Sequence, residues 1–153
     1  MAQTDKYLIF SLLTEFYGIP IIKVREIIRY EKITPVRKSL EYIKGVINLR
    51  GKIIPILDLR TKFGLAEQEY NETTVFIIVD ISGKSGVYNI GITVDAVHEV
   101  LDIDKEQVEQ TPRLGLKLKS QYLLGIARLR EEMAMILNLD MIISADEIIA
   151  LTE

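Results

Sequence analysis

The chain has 153 residues, 48% of them hydrophobic and 27% charged. These are the proportions of a globular protein, and the length suits one ordinary domain or two very small ones sharing a core. A net charge of −3 carries no basic excess for tracking nucleic acid, and the absence of cysteine removes disulfides, thiol catalysis and cysteine–zinc sites while suiting a reducing compartment.

β-type signals dominate in chain order. YLIFSLL (7–13) and FYGIPII (16–22) are followed by GVINL (45–49) and KIIPILDL (52–59), which flank Arg50-Gly51. TTVFIIVDI (73–81) and VYNIGITV (87–94) flank the polar SGKSG (82–86), and YLLGIARL (122–129) precedes EMAMILNL (132–139). All are rich in Ile, Val, Leu or Tyr, and most are bounded by Gly, Pro, Asn or charged residues. Several alternate with period two, which predicts one buried and one wet face. Ser39–Lys44, stopped by Gly45, predicts one capped helical turn, and Arg60–Phe63, stopped by Gly64, another. Ser144-Ala-Asp-Glu147 forms a capping box before Ile148, Ile149 and Leu151 and predicts a short C-terminal helix. Residues 66–72 are a polar loop. Short strands at this spacing point to barrels or a sandwich. No apolar run approaches the ~18 residues of a membrane span, and MAQTDKYLIF lacks the basic region and cleavage site of a signal peptide, so a soluble, cytoplasmic protein is expected.

The chain also echoes itself. Shifted by 80 residues, YIKGVINLRGKIIPILDL (42–59) lies over YLLGIARLREEMAMILNL (122–139). Tyr42/Tyr122, Gly45/Gly125, Leu49/Leu129, Arg50/Arg130, Ile56/Ile136, Leu57/Leu137 and Leu59/Leu139 are identical pairs. Upstream, YGIPI (17–21) answers YNIGI (88–92), and VREII (24–28) answers VHEVL (97–101). Two echoes in the same order predict a duplication, read as two similar small barrels in tandem. Neither half is long enough for an ample core of its own, so the two should share apolar surface and move as one body.

An arginine and a glycine at the centre of the most apolar stretch, GVINLRGKIIPILDL (45–59), require a reason. Gly51 supplies the positive φ that a tight hairpin needs. Arg50 is either a charged turn residue that discourages edge pairing or an arginine placed beside apolar surface for an interface.

Catalytic constellations fail one by one. His98 is the only histidine, so a Ser-His-Asp triad or a His-based metal site would run through it; it stands in VHEVL where the echoed segment has Arg25, which suits a partly exposed structural position. Gly83-Lys84-Ser85 resembles the end of a phosphate loop, but the required earlier glycine is Ile78. Asp102 and Asp104 could open a calcium loop, but its glycine and glutamate positions hold Gln107 and Arg113. No metal, cofactor or catalytic residue is expected.

With KVREI (23–27), YIKGVINLRGKIIPILDLRTKFG (42–64) and the repeat, the chain resembles the CheW family, the coupling proteins of bacterial chemotaxis, over about residues 5–150. The resemblance implies a mainly β fold: two SH3-like five-stranded β-barrels sharing a hydrophobic core, with short helices and a C-terminal helix. The chain would form a single CheW-like domain over 1–153, the first barrel spanning about 14–81, the second about 82–140 and the helix 144–152. It implies a non-catalytic adaptor that links the cytoplasmic tips of methyl-accepting chemoreceptors to the regulatory domain of the histidine kinase CheA. Such an adaptor would be cytoplasmic and recruited to membrane-associated arrays, without nucleic acid or direct membrane insertion. A CheW-like peptide-binding scaffold of a non-motility sensory pathway is the alternative. Position by position, the resemblance places receptor binding at Arg50, Ile53, Val75 and Val97. It places kinase binding at Val24, Glu26 and Gly45 and, on the second barrel, in Glu109–Leu114, with Glu109, Arg113 and Leu114. There the charges of Glu109 and Arg113 reverse one common family pattern.

Overall fold

A computed structural model describes residues 4–36, 40–66, 68–109 and 120–152. In chain order they form β1 (Thr4–Leu12), β2 (Glu15–Pro20), β3 (Val24–Arg29), β4 (Ile43–Leu49), β5 (Lys52–Asp58), α1 (Leu59–Lys62), β6 (Val75–Gly83), β7 (Gly86–Val94), β8 (Ala96–Asp104), β9 (Val108–Glu109), β10 (Leu123–Arg128), β11 (Met133–Leu137), α2 (Leu139–Ile142) and α3 (Ala145–Thr152). The fold is mainly β, in two sheets. One has the strand order β8-β1-β2-β11-β10-β9, the other β3-β6-β7-β5-β4.

These orders reveal how the duplication is built. The first repeat is β1 to α1 and the second β6 to α2, but neither repeat makes a sheet by itself. Hairpin β1–β2 joins strands of the second repeat, pairing with β8 on one side and β11 on the other. Hairpin β6–β7 joins the first repeat, between β3 and β5. The sheets therefore draw on residues 24–94 in one case and on 4–20 with 96–137 in the other. A division at residues 81 and 82 would cut the β6–β7 ladder, which runs to Gly83 opposite Gly86. The reason is physical: these hairpins are apolar on both faces and need cover from both sides.

The registers match between sheets. Ile56 pairs with Gly91 in the parallel β5–β7 ladder, and Ile136 with Gly18 in the parallel β11–β2 ladder. Val24 opposes Val79 and Val97 opposes Phe10, each beside a β-bulge that leaves Arg25 and His98 unpaired. VREII thus superposes on VHEVL as the sequence predicts. YGIPI over YNIGI is displaced by two residues, because Gly18 corresponds to Gly91 rather than to Asn89; period-two alternation keeps the same faces buried.

Alternation sorts the core into three clusters. On β6, Phe76 and Ile78 face a small core inside their own sheet with Ile47, Ile54 and Ile56, whereas Ile77, Val79 and Ile81 face a larger shared core. On β1, Tyr7 and Ile9 join the small core of the other sheet with Ala127, Ala134 and Ile136, while Leu8, Phe10 and Leu12 join the shared one. These strands have two buried faces, not the wet face expected from alternation. Strands β3 and β8 escape a sequence reading because charges interrupt their apolar positions, leaving half-buried edges. Of the predicted turn at 39–44, residue 39 lies outside the described residues; Ile43 N–H donates to the Leu40 carbonyl at 2.9 Å, and Ile43 and Lys44 already belong to β4. The predicted C-terminal helix forms as α3, capped by Ser144 Oγ accepting from Glu147 N–H at 3.4 Å.

Candidate protein-docking site

The β4–β5 hairpin turns on Arg50 and Gly51, with φ of +50° and +86°. Two consecutive positive φ values match the right-handed twist of a two-residue hairpin. Gly51 meets no steric cost there. Arg50 does, about 1–2 kcal/mol for an L-residue. Asn48 Oδ1 ties the turn by accepting from Gly51 N–H at 2.9 Å.

This backbone sends Arg50 across the open end of its sheet. Its Nη2 donates to Glu26 Oε1 at 2.6 Å and Oε2 at 2.9 Å, while 72% of the arginine side chain and 28% of the glutamate side chain stay exposed. A cavity of about 260 Å³ opens beneath, floored by Leu49, Ile54 and Ile78 and rimmed by Arg25, Glu26, Arg50, Lys52 and Asn89. Three cations against one carboxylate make the rim positive. Arg50, assigned to the receptor by resemblance, and Glu26, assigned to the kinase, are thus direct partners, a pairing the sequence order hides across 24 residues.

The other expected site residues lie in different settings. Ile53 stands beside the hairpin and is 58% exposed. Val75 and Val97 are half-buried against the shared core. Val75 opposes Val94, and Asp58 lies near it across Thr93. Ile53 is five residues before Asp58, roughly 16 Å along the strand, so the four receptor positions do not converge on one spot. Val24 packs on the shared core next to Glu26. Gly45 is buried at φ +146°, where a Cβ would fall on the Thr34 carbonyl, 2.7 Å from its carbon and 2.8 Å from Ile33 Cγ2. It admits the Thr34–Val46 bridge rather than presenting a surface. Its twin Gly125 does the same against the Glu109 carbonyl, 2.6 Å from the Cβ it lacks. Glu109 Oε1 lies 3.6 Å from Arg128 Nε at an exposed edge. Arg113 and Leu114 lie outside the described residues.

Sequence reading missed a buried ion pair. Arg60 in α1 is only 5% exposed. Its Nε donates to Asp95 Oδ1 at 3.2 Å, its Nη2 to Asp95 Oδ2, and its Nη1 to the Ala66 carbonyl at 3.4 Å. Asp95 also accepts from Leu13 N–H at 2.6 Å, holding the β1–β2 turn against the crossing between sheets. In the second repeat the sign is reversed: Asp140, the counterpart of Arg60, faces Lys23 Nζ at 3.5 Å. His98 occupies its bulge with Nε2 3.1 Å from Ser11 Oγ and its ring edge-on to Phe16.

A model of the CheW-like domain matches residues 6–147. The chain belongs to the CheW family. It is 39% identical to the chemotaxis protein CheW of Klebsiella aerogenes over 94% of this chain and 84% of that one, and 31% identical to a probable chemotaxis protein CheW of Rhizobium etli over 95% and 92%. Among solved structures, the scaffolding protein TtCheW of Thermoanaerobacter tengcongensis matches with a TM-score of 0.82 and 35% identity, covering 95% of this chain and 92% of that one. This is a family of chemotaxis scaffold proteins. No helix among the described residues is long and apolar enough to cross a membrane.

Proposed function

We propose that this CheW-family chain is a non-catalytic adaptor that couples chemoreceptor cytoplasmic tips to the regulatory domain of the kinase CheA, working in the cytoplasm at membrane-associated arrays. Its two sheets act as SH3-like barrels around the shared core. The observation that carries the reading is the NLRG hairpin: its arginine is held in a left-handed turn, in solvent, over a positive mouth. A receptor helix lays apolar positions against Ile53 and offers a carboxylate or carbonyl to Arg50, the helix-in-groove mode with charge-assisted hydrogen bonds. Val75 and Val97 support the receptor face from the shared core. Val24 and Glu26 meet the kinase domain, as do Glu109 at the edge of the other sheet and, by the family resemblance, Arg113 and Leu114, and Gly45 keeps the first of these faces in shape.

The Arg50–Glu26 pair joins the two duties. A receptor group that takes Arg50 loosens its hold on a residue of the kinase face. Substituting Arg50 by Ala should leave the fold intact and weaken capture by a receptor cytoplasmic fragment by roughly 10- to 100-fold, the range of an interfacial hot spot. Undiminished capture by a folded Arg50→Ala protein would remove Arg50 from the receptor face.

A further inference from the structure

The strand orders carry a consequence for self-association. Both junctions in each sheet where strands of different hairpins meet across β1, β2, β6 or β7 run between repeats: β1–β8 and β2–β11 in one sheet, β3–β6 and β5–β7 in the other. Within a repeat the ladders are β1–β2 and β4–β5, or β6–β7, β10–β11 and β9–β10. The first repeat alone can therefore make only hairpins, and the second a hairpin and the three-stranded piece β11-β10-β9; neither completes a sheet, and isolated hairpins are marginal in water. The chain joins its repeats only through the segment after α1, residues 63–74. That segment is polar at its centre and is fastened by Tyr70 Oη donating to Asp58 and by Arg60 donating to the Ala66 carbonyl.

We propose that two copies of this chain exchange repeats. The first repeat of one copy is completed by the second repeat of the other, and reciprocally, giving a closed two-fold dimer. Every ladder and all three cores are rebuilt with the same residues, Phe63 and Leu65 staying with α1 against the shared core, and only the connection beyond Leu65 changes course. The partner is thus a second copy, and the recognition surface is the set of four inter-repeat ladders. Concentration decides the balance. A short flexible connection holds its own repeat at an effective concentration on the order of millimolar, so a chain folding in dilute solution closes on itself, and one folding near millimolar concentration pairs with a neighbour. The inference rests on topology and does not depend on the adaptor reading.

Lys6 and Asp102 are exposed Cα partners in the β1–β8 ladder, one in each repeat, and the chain has no other thiol. The test combines one variant carrying Lys6→Cys with another carrying Asp102→Cys. Neither can close this bridge within its own chain. When the two are unfolded together and refolded near millimolar concentration under mild oxidation, the expected result is a covalent dimer joining one K6C chain to one D102C chain, several-fold enriched over K6C and D102C homodimers. Refolding at micromolar concentration, or mixing chains already folded, should abolish that enrichment. Disulfides distributed as random pairing at millimolar concentration would overturn the proposal, as would a mixed disulfide formed equally well from chains that were never unfolded.

Discussion

Replacing Gly45 with alanine should be among the costliest single-methyl changes in the molecule, although the residue lies in a strand and touches no ligand. The new Cβ would fall on the Thr34 carbonyl, with further contacts of 2.7 and 2.8 Å to Thr34 C and Ile33 Cγ2. Two of these atoms are backbone, so no rotamer change relieves the clash, and the Thr34–Val46 bridge must open. That forfeits two hydrogen bonds of 2.8 Å each, about 1 kcal/mol apiece. Holding a side chain at φ +146° adds about 1–3 kcal/mol. The sum is about 3–5 kcal/mol, roughly a fifth or more of the stability of a typical domain. Gly51 is the internal control: its φ is +86° and nothing lies within 4 Å of its missing Cβ. Gly51→Ala should cost only the backbone term, about 1–2 kcal/mol. Urea titrations of the three proteins, read by far-UV circular dichroism, give the comparison. A Gly45→Ala protein within about 1 kcal/mol of the parent, or more stable than Gly51→Ala, would refute the steric reasoning.

Three further outcomes follow from particular groups. Asp95→Ala should destabilise the protein by about 3–5 kcal/mol because it strands the buried Arg60 guanidinium, whereas replacing Lys23 by Ala at the exposed, sign-reversed counterpart pair should cost under about 1 kcal/mol; paired urea titrations check both. A double-mutant cycle on Arg50 and Glu26 should give a folding coupling below about 1 kcal/mol, since the pair is largely in water, while the same cycle read by receptor-fragment capture should show clear non-additivity. Burial, then its hydrogen bond to Glu15 and that carboxylate's charge, push the Tyr17 hydroxyl far above its ordinary 10.0, and burial likewise raises Tyr7 and Tyr42. The unfolded chain therefore gives up these protons first, so stability is fully present below about pH 10 and falls as pH rises beyond it. Melting curves from pH 8 to 11 should show that fall, and Tyr17→Phe should flatten it.

Much of this was legible because apolar runs and turn residues are local. The hairpins around Arg50-Gly51 and SGKSG and the capped α3 each come from residues close in the chain, and the 80-residue echo from laying one such local run over another. What escaped depends on assembly. Nothing local in VREIIR or AVHEVLDID marks an edge strand, because an edge that closes a curled sheet tolerates charges on alternate positions. The exchange of hairpins between repeats is equally silent, since either sheet could have used either hairpin with the same local pattern. Arg60 opens a predicted helical turn, but its burial follows only once α1 is folded against Asp95, 35 residues away. For the docking residues, the family resemblance singled out Arg50 and Glu26 separately, and their contact shows only in the fold; it singled out Gly45 for its missing side chain, and the fold adds that this lets the Thr34 backbone approach.

The adaptor account is tested most directly by mixing the purified chain with a chemoreceptor cytoplasmic fragment and the CheA regulatory domain and resolving the mixture by size-exclusion chromatography with light scattering. The account predicts co-elution with each partner separately and a heavier three-component peak when both are present. A folded chain that elutes alone in all three mixtures would contradict it.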